Sequence, residues 1–156
     1  MAREPGDRVP TVRLIRDDGQ PVSLQDYRGQ RIVLFFYPKA LTPGCTTEAC
    51  DFRNASAAFQ AAGFTVLGVS PDPPARNQEF RRTHHLPFPL LSDGEHRLAA
   101  ALGAWGAKSN YGREYEGLIR STFVIDAEGR IEAAYRNVRA KGHVAKLSRE
   151  LLGRPD

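Results

Sequence analysis

The chain has two cysteines, Cys45 and Cys50, five residues apart in the segment Tyr37-Pro38-Lys39-Ala40-Leu41-Thr42-Pro43-Gly44-Cys45-Thr46-Thr47-Glu48-Ala49-Cys50. Two such cysteines cannot form the disulfide framework of a secreted domain, and they are too few for a four-thiolate zinc site. They are either incidental small hydrophobes or chemical groups. Thr42 suits an N-cap and Pro43 the first position of a helix, which puts Gly44 and Cys45 in its first turn. Unpaired N–H groups and the helix dipole favour negative charge there, the condition a nucleophilic thiolate needs. The chemistry on offer is thiolate attack on an electrophile. The residues alone leave that electrophile open.

Helical spacing separates the two thiols. Cys45, Ala49, Phe52, Ser56 and Phe59 share one mostly apolar face, so Cys45 is expected to point inward. Cys50 falls about 140° around the axis, with its Cα about 8.7 Å from that of Cys45 in an intact helix. A disulfide needs roughly 4.4–6.8 Å. A bond between them therefore requires the first turns to unwind.

The elements that must carry this segment read as follows. Thr11–Ile15 alternates polar and apolar residues, and Asp18-Gly19 supplies a turn before Pro21-Val22. Ser23 with Asp26 three residues on opens a short helix ended by Gly29. Ile32 to Tyr37 is a continuous β-branched and aromatic run, the pattern of a strand buried on both faces. A long helix is expected from Pro43 to about Ala62, then a strand at Phe64–Val69, a helix from Ala75 to about His84 and a strand at Phe88–Leu91. A small helix follows, ending near Leu102. Gly103 to Gly117, holding Trp105, Tyr111 and Tyr115, reads as irregular. Leu118–Asp126 and Arg130–Tyr135 form a hairpin, and Gly142 to Leu152 a closing amphipathic helix. The order implies an α/β fold: a mixed central sheet flanked by helices.

At 156 residues with 41% hydrophobic and 26% charged side chains, the chain fits one globular domain spanning 1–156 and no disordered class. The net charge is +4. Residues 1–78 carry 9 basic and 8 acidic groups, and residues 79–156 carry 13 and 10, so the surplus reads as dispersed, with its densest spots at Arg81-Arg82 and Arg136/Arg139/Lys141. That dispersal argues against a nucleic-acid partner. No apolar run approaches the ~18 residues of a membrane helix, and Met1–Pro10 lacks a signal-peptide core. The expectation is a cytoplasmic protein with no membrane association.

The string Phe-Tyr-Pro-Lys-Ala-x-Thr-Pro-Gly-Cys-Thr-x-x-x-Cys, with Pro38, Thr42 and Cys45 in the pattern Pro-x-x-x-Thr-x-x-Cys, resembles the peroxiredoxin active site. The second cysteine five residues on resembles the bacterioferritin-comigratory, or Q-type, subgroup. The similarity extends to Asp26-Tyr27-Arg28-Gly29, Leu90-Leu91-Ser92-Asp93, Trp105-Gly106 and Arg120-Ser121-Thr122-Phe123-Val124-Ile125-Asp126. It implies a thioredoxin-like fold and a thiol peroxidase acting on hydrogen peroxide and organic hydroperoxides, with no metal, haem or flavin. Cys45 would be the peroxidatic thiol that becomes a sulfenic acid. Cys50 would be the resolving thiol that closes an intramolecular disulfide, recycled by thioredoxin or glutaredoxin. Thr42 would hold the peroxide, Arg120 would stabilise the thiolate and the leaving oxygen, and Pro38 would shield the site. Each has a plain rival: Thr42 as only a helix cap, Arg120 as a surface residue at a strand start, Pro38 as a strand terminator.

Glu48 could bond near Arg120 or sit as a solvated helix-surface acid. His84, His85, His96 and His143 lack a metal-ligand spacing and read as surface or loop residues. Trp105, Tyr111 and Tyr115 read as core or rim packing. A resolving cysteine in the same helix needs no partner subunit, so a monomer is expected. The alternative function is a dithiol–disulfide oxidoreductase acting on proteins, although that chemistry ordinarily uses Cys-x-x-Cys at the helix start. A third is a non-catalytic thioredoxin-like binding module with passive cysteines.

Overall fold

Alternate residues of the apolar run beginning at Ile32 enter two different cores. In the computed structural model, which describes residues 2–110 and 112–153, Ile32, Leu34 and Phe36 face one layer while Val33, Phe35 and Tyr37 face the other. This strand can be apolar throughout because helices or loops cover both sides.

The elements in order are β1 (Leu14–Arg16), β2 (Pro21–Val22), a 3-10 turn (Leu24–Tyr27), β3 (Arg31–Phe36), α1 (Pro43–Ala61), β4 (Phe64–Ser70), α2 (Pro74–His84) and β5 (Leu90–Ser92). There follow α3 (Arg97–Ala101), β6 (Trp105–Asn110), β7 (Arg113–Leu118), β8 (Ser121–Ile125), β9 (Ile131–Tyr135) and α4 (His143–Leu152). Seven strands form one sheet of order β2-β1-β5-β4-β3-β8-β9. The β3–β4 and β4–β5 pairs are parallel, and β3–β8, β8–β9, β1–β5 and β1–β2 are antiparallel. This is the mixed α/β sheet expected.

Helix α1 lies on the face of Val33 and Phe35. Phe52 stacks on Phe35 with ring centroids 4.5 Å apart, and Phe59 and Ala49 are fully buried beside it. Burying each Phe contributes about 1.5–3 kcal/mol, so these contacts seat the helix firmly against the sheet. α1 ends where Gly63 takes φ +89°, a conformation that favours glycine. In β4, Gly68 has a different reason. A Cβ there would meet Leu90 Cδ2 at 2.7 Å and Phe35 Cζ at 2.9 Å, so only glycine lets these side chains cross the strand.

Two expectations change. The stretch read as irregular is a separate two-stranded hairpin, β6 with β7, in register from Trp105↔Leu118 to Asn110↔Arg113. Most of β7 is exposed, so its polar composition carried no burial pattern to reveal a strand. Trp105 packs against the core and stacks on His96, whereas Tyr115 is exposed; Tyr111 lies outside the described residues. The surplus that reads as dispersed also converges, because α4 brings Lys146 and Arg149 to the same groove as the basic spot Arg136/Arg139/Lys141. No helix among the described residues is long and apolar enough to cross a membrane.

Candidate active site

The antiparallel register of β3 with β8 pairs Phe36 with Ser121. Arg120, one residue before β8, therefore arrives beside the end of β3, where the chain turns into α1. Cys45, in the first turn of α1, is buried at 1% exposure. The Arg120 Nη2 donates to Cys45 Sγ at 3.3 Å, and its Nη1 donates to Glu48 Oε1 at 2.6 Å. Arg120 is neither on the surface nor free to swing, since its side chain is 15% exposed and that of Glu48 0%.

Glu48 is thus a buried acid one helical turn from the thiol, not a solvated one. Its second oxygen, Oε2, is buried without a hydrogen-bond partner among the described residues. Burial pushes its pKa up to about 7 against the pull of Arg120. Burial also works against the Arg120 cation, but the charges of Glu48 and Cys45 outweigh it and hold the pKa of Arg120 above its ordinary value. The guanidinium stays charged, with one fork on each partner.

Thr42 occupies the N-cap position, with Pro43 next, but its hydroxyl does not cap the helix. It donates instead to the Lys39 carbonyl at 2.7 Å. That corrects the capping role expected of its side chain. The hydroxyl is turned into the Pro38–Thr42 loop, and the N–H groups of the first turn, including that of Cys45, are left without a side-chain cap. The loop is held from outside as well: Asp72 Oδ2 accepts from the Ala40 N–H at 2.7 Å. Leu41 adopts φ +66°, an unfavourable backbone for leucine that these two hydrogen bonds help to hold. Pro38, half-buried, follows the fully buried Tyr37 at the head of this loop.

Cys50 lies in the same intact helix, part-buried, and both cysteines are free thiols. At five residues' separation their Cα atoms stand about 8.7 Å apart, beyond disulfide reach. The structure therefore brings Arg120 to Cys45, places Pro38 and Thr42 at the two ends of the loop that leads into α1, and leaves Cys50 apart.

One neighbour of the site had no signal in the sequence. His143, the first residue of α4, is buried, with Nε2 2.8 Å from the Thr122 hydroxyl and its ring edge-on to Phe52 of α1. Burial, with Arg120 and Lys146 nearby, depresses its pKa to about 4, so it is neutral at pH 7. It is therefore not the surface or loop histidine expected. Its surroundings come from β8 and α1, far off in sequence.

Residues 5–134 match the AhpC/TSA family. The chain is 48% identical over 151 residues to peroxiredoxin Bcp of Bacillus subtilis, covering 97% of this chain and 96% of that one. The chain is a peroxiredoxin. A putative peroxiredoxin of Mycobacterium tuberculosis is 52% identical over 147 residues, with 94% of each chain covered. Among solved structures, peroxiredoxin Q of Xanthomonas campestris superposes with a TM-score of 0.87 at 34% identity, covering 98% of this chain and 96% of the other. A Xylella fastidiosa PrxQ mutant superposes with a TM-score of 0.90 at 32% identity and 98% coverage of each. The fold is that of the thioredoxin-like peroxiredoxins, and the chain is a thiol peroxidase of the Bcp/PrxQ group, consuming peroxide at the expense of a thiol reductant. The protein dithiol–disulfide oxidoreductase reading is not favoured.

Proposed function

We propose that this peroxiredoxin reduces hydrogen peroxide and organic hydroperoxides through Cys45 and closes its cycle through a Cys45–Cys50 disulfide. The observation that carries the reading is the 3.3 Å hydrogen bond from Arg120 to a buried thiol in the first turn of α1. The Cys45 thiolate attacks the terminal oxygen of ROOH and the O–O bond breaks. The departing alkoxide takes a proton to become an alcohol or water, and Cys45 is left as a sulfenic acid. Arg120 stabilises both the thiolate and the charge that develops on the leaving oxygen. Thr42 orients the peroxide through its hydroxyl, already turned into the loop by Lys39. Pro38 keeps bulk water from the sulfenic acid.

Cys50 then attacks the sulfenic sulfur, water leaves, and a disulfide forms. The first turns of α1 must open for this, since an intact helix keeps the thiols apart. A thioredoxin-type dithiol protein (a glutaredoxin being the other candidate) returns the enzyme to the dithiol state. The resolving thiol is supplied within the chain, which supports a monomer working as one domain, and a reduced thiol pair suits the cytoplasm.

The test is peroxide turnover with thioredoxin or glutaredoxin as reductant, in the wild type and in Cys45→Ser. Turnover coupled one-to-one to oxidation of the reductant, and abolished in Cys45→Ser, is expected. Full turnover in Cys45→Ser would exclude the reading.

A further inference from the structure

Beside the active site lies a groove of about 670 Å³ between the end of β9 and the outer face of α4. Its walls carry Arg136, Arg139, Lys141, His143, Lys146 and Arg149. No acidic residue occurs between Ala133 and Arg149. Arg136 is spent on the Leu102 and Arg3 carbonyls and on Glu4, and His143 is turned to Thr122. The other four cations are exposed, and none has a carboxylate within ion-pair distance among the described residues. The remaining 18 Lys and Arg equal the 18 Asp and Glu, so these four residues account for the chain's formal +4.

The groove adjoins the reactive sulfur. The Val138 N–H donates to the Arg120 carbonyl at 2.9 Å. Ala140, between Arg139 and Lys141, stands beside Gly44, where an added Cβ would lie 3.9 Å from the Cβ of Ala140 and 3.4 Å from Arg120 Nη2. A body seated on the four cations therefore overhangs the start of α1.

An uncharged peroxide has no use for such an array. Small-ligand sites are concave and mostly apolar with a few polar groups, whereas this face is open and its charge spans the loop and two turns of α4. Charge spread this way acts on macromolecular partners, raising the association rate and fixing orientation. The catalytic cycle requires one protein to reach this place, the reductant. We infer that the Arg139/Lys141/Lys146/Arg149 groove docks an acidic face of the dithiol protein that reduces the enzyme.

The inference rests on the proposal that a thioredoxin-type protein is the reductant. In the docked complex a thiolate of the reductant attacks one sulfur of the Cys45–Cys50 disulfide, and the other sulfur leaves as a thiolate. The second thiol of the reductant then displaces the mixed disulfide. The reductant ends oxidised and both cysteines of the enzyme end reduced.

The test compares wild type with the charge reversals Arg139→Glu/Lys141→Glu and Lys146→Glu/Arg149→Glu. Each is assayed at low and high salt with hydrogen peroxide as substrate and either a thioredoxin of net negative charge or dithiothreitol as reductant. The expected result is a loss of about 10- to 100-fold in kcat/KM for thioredoxin at low salt, with a flattened salt dependence. Turnover with dithiothreitol and the rate of stoichiometric oxidation by peroxide stay at wild-type values. Unchanged kcat/KM for thioredoxin, or an equal loss with dithiothreitol, would overturn the assignment. A wild-type enzyme that turns over with dithiothreitol but not with thioredoxin would instead remove the reductant reading itself, and the docking role with it.

Discussion

Arg120 and Cys45 lie 75 residues apart in the chain and are joined by a 3.3 Å hydrogen bond from Nη2 to Sγ. The pairing of β3 with β8 closes that distance, and Glu48 holds the other fork of the guanidinium. Charge, direction and burial are thus set before any peroxide arrives, which is how preorganised sites lower a barrier.

Arg120→Lys keeps the charge but loses the two-pronged geometry. The second-order rate constant for oxidation of Cys45 by hydrogen peroxide should fall by about 10²–10³, the usual cost of removing one well-placed donor. Stopped-flow fluorescence measures it, with circular dichroism to check the fold. A loss smaller than about threefold would deny Arg120 this role.

Cys50→Ser should separate the two halves of the cycle. One equivalent of peroxide should leave Cys45 as a sulfenic acid that a dimedone-type probe labels, while turnover with thioredoxin is lost. A Cys45 thiol still free by mass after peroxide has been consumed would refute the division of labour.

Glu48 and His143 give stability opposite dependences on pH. The folded pKa of Glu48 is raised from 4.5 to about 7, so the native state holds the extra proton between those values. Its contribution to stability therefore falls as pH rises through that window. The folded pKa of His143 is depressed from 6.5 to about 4, so the unfolded chain holds more protons there, and its contribution is lost as pH falls from 6.5 toward 4. Each effect is on the order of 3 kcal/mol at most, and they oppose one another between about pH 4.5 and 6.5. Urea unfolding at pH 5 and pH 6.5 should find Glu48→Gln losing stability toward acid and His143→Gln losing it toward neutrality, each relative to wild type. Parallel pH curves for all three proteins would contradict this.

Disulfide formation should open the start of α1. Amide hydrogen exchange over residues 43–52 is expected to be faster in the disulfide form than in the dithiol form, with the Phe59 end of the helix protected in both. Equal protection would mean that the thiols meet without unwinding.

What the sequence revealed depended on where the determining contacts lie. Thr42-Pro43 and Gly63 bound α1 locally, and the unbroken apolar run of β3 announced a strand covered on both faces. The β6–β7 hairpin escaped because a mostly exposed strand has no buried stripe. Glu48 stayed ambiguous because its burial depends on Arg120, and the inward position of Arg120 came from family resemblance rather than from any local pattern. His143 was invisible for the same reason, because its pocket is built by α4 folding back beside β8. The cationic groove was partly legible: Arg136, Arg139 and Lys141 form a basic spot in the sequence, and α4 adds Lys146 and Arg149 to it in space.

The most direct test of the central claim is peptide-mapping mass spectrometry of the reduced enzyme after one equivalent of hydrogen peroxide, with free thiols alkylated. The expected product is a single cross-linked species joining Cys45 to Cys50, lighter than the dithiol form by two hydrogen atoms and formed together with loss of the peroxide. Both cysteines recovered as alkylated thiols after the peroxide has disappeared, or oxidation confined to Cys50 with Cys45 alkylated, would contradict it.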